Sequence, residues 1–345
     1  MTNKTLITGG AGFIGSNYAH RLLSRGEDVT LFDNLSRKGV RKNLEWLEMT
    51  FGKGSFHFLH EDIRNTKAVD EAVKSANRVV HLAAQVAVTS SVVNPREDFE
   101  INALGTFNLL EAARKAGHQP TIIFASTNKV YGGMEDLRLR ETASRYEMID
   151  CPNGITENRN LDFHSPYGCS KGCGDQYMRD YARIFQIPTV VFRQSCIYGK
   201  RQFGIEDQGW VAWFVIASIL NQTISIYGDG KQVRDLLFVD DLLNAYDLAF
   251  ATINKVQGQV FNLGGGKDNS ISIWCEFQPL LEKVIQKKIN YKKYEWRPGD
   301  QKIYISDTNK FTEATGWRAE VNVNQGIKIL SDWVMENPHL FQDFI

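Results

Sequence analysis

At 345 residues the chain is long enough for one large domain or two closely joined ones. Forty basic side chains balance forty acidic ones, so no net field draws it to nucleic acid or an anionic membrane, and an anionic ligand must be held by a few local cations. The five cysteines, Cys151, Cys169, Cys173, Cys196 and Cys275, form no Cys-x-x-Cys pair and are odd in number, which speaks against a disulfide framework. Cys169 and Cys173 share a helix face but lack a nearby histidine pair, so no metal site is expected. No secretory segment precedes the first strand and no apolar run reaches membrane-spanning length, so the expected location is the cytoplasm.

Thr5-Leu6-Ile7 reads as a short buried strand, followed by Gly9, Gly12 and Gly15 at three-residue spacing. Phe13 to Leu23 is helical in pattern, with Phe13, Ile14, Tyr18, Leu22 and Leu23 on one face. Strand, glycine turn and helix together make a phosphate cradle. The glycines allow a sharp turn and a close approach, and the helix N-terminus offers free N–H groups to negative charge. Val29 to Phe32 is the second strand and leads into Asp33, a carboxylate placed to bind ribose hydroxyls and repel a 2′-phosphate. NAD is therefore favoured over NADP, with Arg37 working weakly against that preference. A glycine triplet alone is often a turn without a ligand, but strand, helix, second strand and terminal acid together point to a dinucleotide.

Further strands are expected at Phe56–Leu59, Arg78–Leu82, Thr121–Ser126 and Ile187–Phe192. Long helices are expected from about Pro95 through Asn102, Leu109 and Ala113, and from near Pro166 through Tyr177, Tyr181 and Phe185. Alternating strands and helices imply an α/β fold, a doubly wound parallel sheet whose ligands bind at the strands' carboxyl ends. Residues 132–165 are polar without periodicity and read as a long loop, of a kind often used as a lid or an interface. Beyond residue 195, turn-rich pieces (Tyr227–Gly230, Gly264–Gly266, Arg297–Asp300) suggest a smaller C-terminal substrate-binding domain. The expected division is 1–195 with about 236–263 for the dinucleotide domain, and about 196–235 with 264–345 for the other.

Tyr167 and Lys171 lie four apart on the second long helix, which puts the ammonium near the phenol. A cation there, joined by a bound nicotinamide, favours phenolate and fits Tyr167 for taking a hydroxyl proton. Tyr227 and Lys231 share the spacing but span Gly-Asp-Gly, a turn, so that pair reads as structural. Thr127, at the carboxyl end of the fifth strand, is the hydroxyl that would steady the reacting oxygen.

These residues resemble the extended short-chain dehydrogenase/reductase family of nucleotide-sugar-modifying enzymes, over nearly the whole chain. The resemblance rests on Thr8–Gly15, Asp33-Asn34, Asp62–Arg64, His81–Ala84, Asn102–Thr106, Ser126–Gly132, Tyr167 with Lys171, Tyr227–Asp235 and Arg297–Asp300. It implies a Rossmann-type fold, with Thr127, Tyr167 and Lys171 as the catalytic set. It implies NAD contacts from Gly9, Gly12, Phe13, Ile14, Gly15, Asp33, Asn34, Ser36, Arg37, Asp62, Ile63, Ala83, Gln85, Asn102, Tyr167, Lys171 and Gln194, with Asp62 and Ile63 flanking the adenine. Val86, Ser126, His164, Arg234 and Arg297 are the implied substrate contacts, the two arginines on a diphosphate. For Arg234, a surface salt bridge with Asp235 or Asp240 is the competing structural reading, and a lone histidine such as His164 is more often structural.

Two departures narrow the reaction. Asn128-Lys129 stands where the family's 4,6-dehydratases carry Asp-Glu, so elimination of water is not expected. Cys196 stands where 4-epimerases carry asparagine. Residues Lys200–Trp213 resemble the members that invert C2 of a CDP-linked 3,6-dideoxyhexose of lipopolysaccharide O-antigen, although helix packing alone also accounts for the tryptophans. The expectation is a closed redox cycle on tightly bound NAD through a 2-keto sugar. A UDP-sugar 4-epimerase, a net keto-sugar reductase and a non-catalytic NAD sensor are the rivals. The resemblance also implies a homo-oligomer, dimer or tetramer, built on the helices near 95–116 and 167–185.

Overall fold

The computed structural model describes residues 3–297 and 300–344. In chain order the first elements are β1 (Lys4–Thr8), α1 (Phe13–Ser24), β2 (Asp28–Phe32), α2 (Val40–Phe51), β3 (His57–Leu59), α3 (Thr66–Lys74) and β4 (Arg78–His81). There follow α4 (Val88–Val93), α5 (Pro95–Phe99), a π-turn (Glu100–Leu104), α6 (Gly105–Lys115), β5 (Thr121–Thr127), β6 (Leu139–Glu141), β7 (Tyr146–Met148), α7 (Ser165–Phe185) and β8 (Thr189–Gln194). The rest comprises β9 (Cys196–Tyr198), α8 (Trp210–Ile219), β10 (Ile224–Tyr227), β11 (Val233–Phe238), β12 (Gln259–Leu263), β13 (Ser270–Ser272), β14 (Tyr291–Tyr294), β15 (Ile303–Tyr304) and connecting helices. Two compact units result: 1–130, 165–193 and 245–261 form the first, and 131–164, 194–244 and 262–345 the second.

The first unit is built on a seven-stranded sheet in the order β12-β8-β5-β4-β1-β2-β3. From β3 to β5 every pairing is parallel. Apolar runs such as Leu6-Ile7 and Val79-Val80 are buried because helices cover both faces. Leu6, Val79, Ile122 and Val191 of the sheet pack with Val69 and Val73 of α3, Leu109 and Ala113 of α6, and Met178 of α7. Strand order reverses between β1 and β4, which opens a crevice at their carboxyl ends.

The helix expected from Pro95 to Ala113 runs unbroken to Lys115, but not as uniform α-helix. Asn94 leaves helical conformation ahead of Pro95 and caps α5 by accepting the Glu97 N–H at 3.2 Å. The ladder then widens into the π-turn before α6 resumes. Strand β12, five residues between two turns, lies outside the strands expected from the sequence.

The second unit holds β11 at the centre of a small mixed sheet, parallel to β9 and β15 and antiparallel to β13. Strands β10 and β14 pair in parallel as a separate two-stranded sheet. Residues 131–164 and 236–244 belong here, where the sequence reading assigns them to the dinucleotide domain. The stretch read as a long loop carries the antiparallel hairpin β6–β7. Arg145 bridges Glu276, Lys231 Nζ meets Glu141 at 2.7 Å, and the Tyr146 N–H donates to the Lys231 carbonyl at 3.2 Å. These bonds staple the hairpin instead of leaving a free lid. Trp210 packs edge-on against Phe214 and Phe277, so this tryptophan serves α8 packing. No described helix is long and apolar enough to cross a membrane.

Candidate active site

The glycine turn is packed backbone against backbone. Gly9 has φ +69° and donates its N–H to the Phe32 carbonyl at 2.8 Å. A Cβ on Gly9 would lie 2.8 Å from the Ala83 nitrogen, and one on Gly15 would lie 2.4 Å from the Gly9 carbonyl oxygen. Gly12 is the N-cap of α1 and brings no side chain to its first turn, and Phe13 and Ile14 are half-buried. Asp33 is buried beside this turn; one carboxylate oxygen accepts the Ala11 N–H at 3.0 Å and the other the Leu35 N–H at 2.8 Å. Burial pushes its carboxyl up from the ordinary value, against these bonds and the charge of Arg37. Open N–H groups, a cradle that a Cβ would fill, and a carboxylate at the end of β2 fit a dinucleotide.

Asp62 accepts the Asn34 amide at 2.8 Å and a two-pronged bond from Arg64, which hold its carboxyl well below the usual range. Ile63 is buried against Gly105 of α6, so its side chain belongs to the core. Ser36 is exposed, its N–H on the Asn34 side chain at 3.0 Å. Asn102 sits in the π-turn and is zipped to the segment after β4. Its Oδ1 accepts the Gln85 N–H at 3.0 Å, and its Nδ2 donates to the Gln85 carbonyl at 2.8 Å and to Asp98 at 2.9 Å. Gln85 donates its own amide to the Ala87 carbonyl and Asp98. Both residues therefore shape the loop carrying Ala83 and half-buried Val86, with their amide donors taken up inside the chain.

Thr127 ends β5 and accepts the Lys129 N–H at 3.2 Å. Tyr167 of α7 is buried, with Thr127 near enough to its phenol to favour the ionised form. Lys171, one turn on, is buried with its ammonium 4.2 Å from the centre of the Phe124 ring. The three expected catalytic side chains thus lie in the first unit, at the carboxyl end of β5 and on the helix behind it. Their protonation differs from the expectation of a lowered phenol. Burial pushes Tyr167 up to about 12, outweighing Thr127 and the Arg37 charge. Burial also brings Lys171 down to about 7, against the carboxylates of Asp175 and Asp98. A cation placed beside the phenol acts in the opposite sense, toward phenolate.

Ser126, a substrate contact by the family resemblance, instead directs its hydroxyl inward and donates to Asp175 at 2.8 Å. Asp175 also receives a two-pronged bond from Arg193, both distances 2.9 Å, in a fully buried ion pair. Asp98, Asp175 and Arg193 escape the sequence reading. A signal is there to be used: Asp175 lies one turn beyond Lys171, and Asp98 one turn before Asn102.

In the second unit, Arg234 on β11 is buried and donates to the carbonyls of Val233 and Gln301 at 2.8 Å and to Asp300 at 3.1 Å. Its carboxylate partner is Asp300, not Asp235 or Asp240. Arg297 stacks 3.8 Å over the Tyr227 ring and meets Asp207 at 3.2 Å. Pro298 and Gly299 of that segment lie outside the described residues. Tyr227 and Lys231 flank a turn with positive φ at Gly228 and Gly230, and Lys231 pairs with Glu141, in keeping with a structural pair. His164 is half-exposed beside Asp162 at 3.1 Å, and Gln194 is buried at the end of β8.

Residues 6–330 match the family model described as GDP-mannose 4,6 dehydratase. The chain belongs to the extended short-chain dehydrogenase/reductase family. Among curated relatives, CDP-paratose 2-epimerase of Salmonella typhi is 47% identical over 337 residues, covering 96% of this chain and 98% of its own. A putative UDP-glucose 4-epimerase of Methanocaldococcus jannaschii is 32% identical over 96% of this chain and 98% of its own. The UDP-glucose 4-epimerase of Thermus thermophilus, solved in complex with NAD, superposes with a TM-score of 0.81 at 29% identity, covering 97% of this chain and 99% of its own. DesIV of Streptomyces venezuelae, a dTDP-glucose 4,6-dehydratase with NAD bound, gives 0.84 at 26% identity, covering 99% and 100%. The doubly wound parallel sheet of this family is the architecture found here.

Proposed function

We propose that this family member is an NAD-dependent epimerase that inverts C2 of a CDP-linked 3,6-dideoxyhexose, converting CDP-paratose to CDP-tyvelose through a transient 2-keto sugar. The observation that carries the reading is the 47% identity to CDP-paratose 2-epimerase along nearly the full length of both chains. NAD, when bound, accepts hydrogen with its electron pair from C2 and returns it. Tyr167 takes the C2 hydroxyl proton and gives it back, and Thr127 hydrogen-bonds the same oxygen. Lys171 supplies the positive charge that favours phenolate, and the burial of all three keeps bulk water from the reacting carbon. Asn128 and Lys129 offer no carboxylate pair for eliminating water, which favours epimerisation over the dehydration named in the family model. Arg234 and Arg297 are the cations assigned to the substrate diphosphate, and guanidinium suits that role.

None of the five cysteines joins a disulfide, which accords with a reducing compartment, and we place the reaction in the cytoplasm, in lipopolysaccharide O-antigen synthesis. The helices of the first unit expose Val92, Val93, Phe99, Phe107, Tyr177 and Ile184, an apolar surface suited to a homo-oligomer, dimer or tetramer.

The test uses CDP-paratose carrying deuterium at C2, purified enzyme and no added cofactor, followed by proton NMR. A C2 epimer that keeps its deuterium supports the reading. Loss of label to solvent means deprotonation at carbon and removes the assigned roles of NAD and Tyr167. Turnover of a UDP-sugar at C4 instead would favour the activity named for the Methanocaldococcus relative.

A further inference from the structure

Asp98 has no part in the chemistry so far described, yet it is a carboxylate with no exposed surface, on α5, which packs against α7. Its Oδ1 accepts from Asn102 at 2.9 Å and from Gln85 at 3.1 Å. Its Oδ2 is buried without a partner in hydrogen-bonding geometry. Such a group is costly unless a charge compensates it. Two buried carboxylates act on Lys171, but they differ in one respect. Asp175 is already matched by the two-pronged bond from Arg193, whereas Asp98 has no arginine among its bonds. Burial pushes the Asp98 carboxyl up, against the Ser170 hydroxyl, the Asn102 and Gln85 amides and the charge of Lys171, the cation that acts on it.

We propose that Asp98 is a positioning residue for the Tyr167–Lys171 pair, one oxygen holding Asn102 and Gln85 in place and the carboxylate charge serving as counter-ion to the Lys171 ammonium. The inference rests on the reading of Tyr167 as the group that exchanges the substrate proton. Other charges face the same cluster: Arg37 acts on Tyr167, Asp175 on Lys171, and Lys171 on buried His81. Asp98 acts on both members of the pair, and a negative charge makes each hold its proton more tightly. The catalytically useful form, phenolate beside ammonium, lies between the first and second proton losses of the coupled pair. Removing the charge lowers both steps together.

Asp98→Asn keeps the shape and the acceptor while deleting the charge. The bell-shaped pH profile of turnover should move as a whole toward acid, by about one pH unit, the order of effect of one nearby charge. Asp98→Glu, which keeps the charge, should leave it in place. The same displacement should appear without sugar substrate, in the tyrosinate absorbance of cofactor-loaded protein taken as the difference from a Tyr167→Phe background. An Asp98→Asn profile lowered in height but unmoved in pH would make Asp98 structural only and overturn the proposal. So would a carboxyl carbon NMR signal showing Asp98 protonated at neutral pH in the wild type, a measurement that does not depend on any variant folding. If the wild type turns over no CDP-sugar, the reading of function fails, and the absorbance titration still decides the role of Asp98.

Discussion

The Thr8 hydroxyl oxygen lies 2.7 Å from Nδ1 of His81, and the bonds around it fix where the ring carries its proton. That oxygen already accepts the Leu82 and Ala83 N–H groups at 3.2 Å, so its hydrogen goes to Nδ1. Nε2 is then the protonated nitrogen and donates to Thr106 at 3.0 Å, whose hydroxyl donates to the Asn102 carbonyl at 2.7 Å. One relay thus ties the end of β1 to the end of β4 and the π-turn.

Imidazole nitrogen NMR should therefore show His81 as the neutral Nε2–H tautomer, and the Nδ1–H form would contradict the relay. Burial, with the Lys171 charge added, brings this ring down to about 3. The unfolded chain binds the proton from about 6.5 downward while the native ring refuses it. Stability from this group is complete above about 6.5 and declines toward about 3, by up to ~1.4 kcal/mol per pH unit. Urea midpoints across that window should fall less steeply in His81→Asn than in wild type.

Gly15→Ala and Gly12→Ala should separate cleanly. The Gly15 Cβ would meet two backbone groups, the Gly9 oxygen at 2.4 Å and the Gly10 Cα at 2.8 Å, which move only with the whole turn. A loss of about 1–3 kcal/mol is expected, together with loss of bound NAD from the purified protein. The Gly12 Cβ meets nothing closer than 3.1 Å at an ordinary φ of −66°, so its folding cost should be the smaller of the two. Equal melting temperatures for the two variants would contradict the packing described.

Tyr167→Phe removes the proton acceptor and leaves the ring in place. Turnover should fall by about 10²–10⁴-fold, while NAD, measured by absorbance after denaturation, stays at the wild-type ratio. Near-wild-type turnover would take Tyr167 out of the chemistry.

Asp175→Ala takes the two-pronged carboxylate away from the buried Arg193 guanidinium. The expected cost is about 3–5 kcal/mol in urea unfolding, the range for breaking a buried pair from one side. A cost below about 1 kcal/mol would show that the other contacts of Arg193 compensate for the lost carboxylate.

The residues that do the proposed chemistry are legible in the sequence because their geometry is local. Thr8, Asp33 and Thr127 stand at strand ends marked by apolar runs, and Tyr167 and Lys171 are one helical turn apart. The bonds that hold them are not, because the partners are distant in sequence. Arg193 reaches back 18 positions to Asp175, Asn102 reaches 17 to Gln85, and Ser126 reaches 49 to Asp175. The β6–β7 hairpin does carry a short alternation, Leu137 to Arg140 and Tyr146 to Met148, but it is brief and set among polar residues, and ion pairs to residues 231 and 276 hold it. Arg234 shows the converse hazard: a side chain suited to phosphate also suits Asp300 and two carbonyls.

The π-turn at Glu100–Leu104 amounts to one residue more than an α-helix would spend on the same climb. Each residue of an α-helix turns the side-chain direction by about 100°, so that extra residue puts α5 and α6 out of phase. The apolar stripe of α6, Leu109 with Ala113, stays on the core while Asp98 and Asn102 keep their bonds to each other and to Gln85. Deleting one residue within 100–104 would let the helix run straight, and it would then have to choose. Either the hydrophobic stripe or the polar latch would swing by about a quarter-turn, and the catalytic floor and the sheet's cover could no longer be served by one continuous helix.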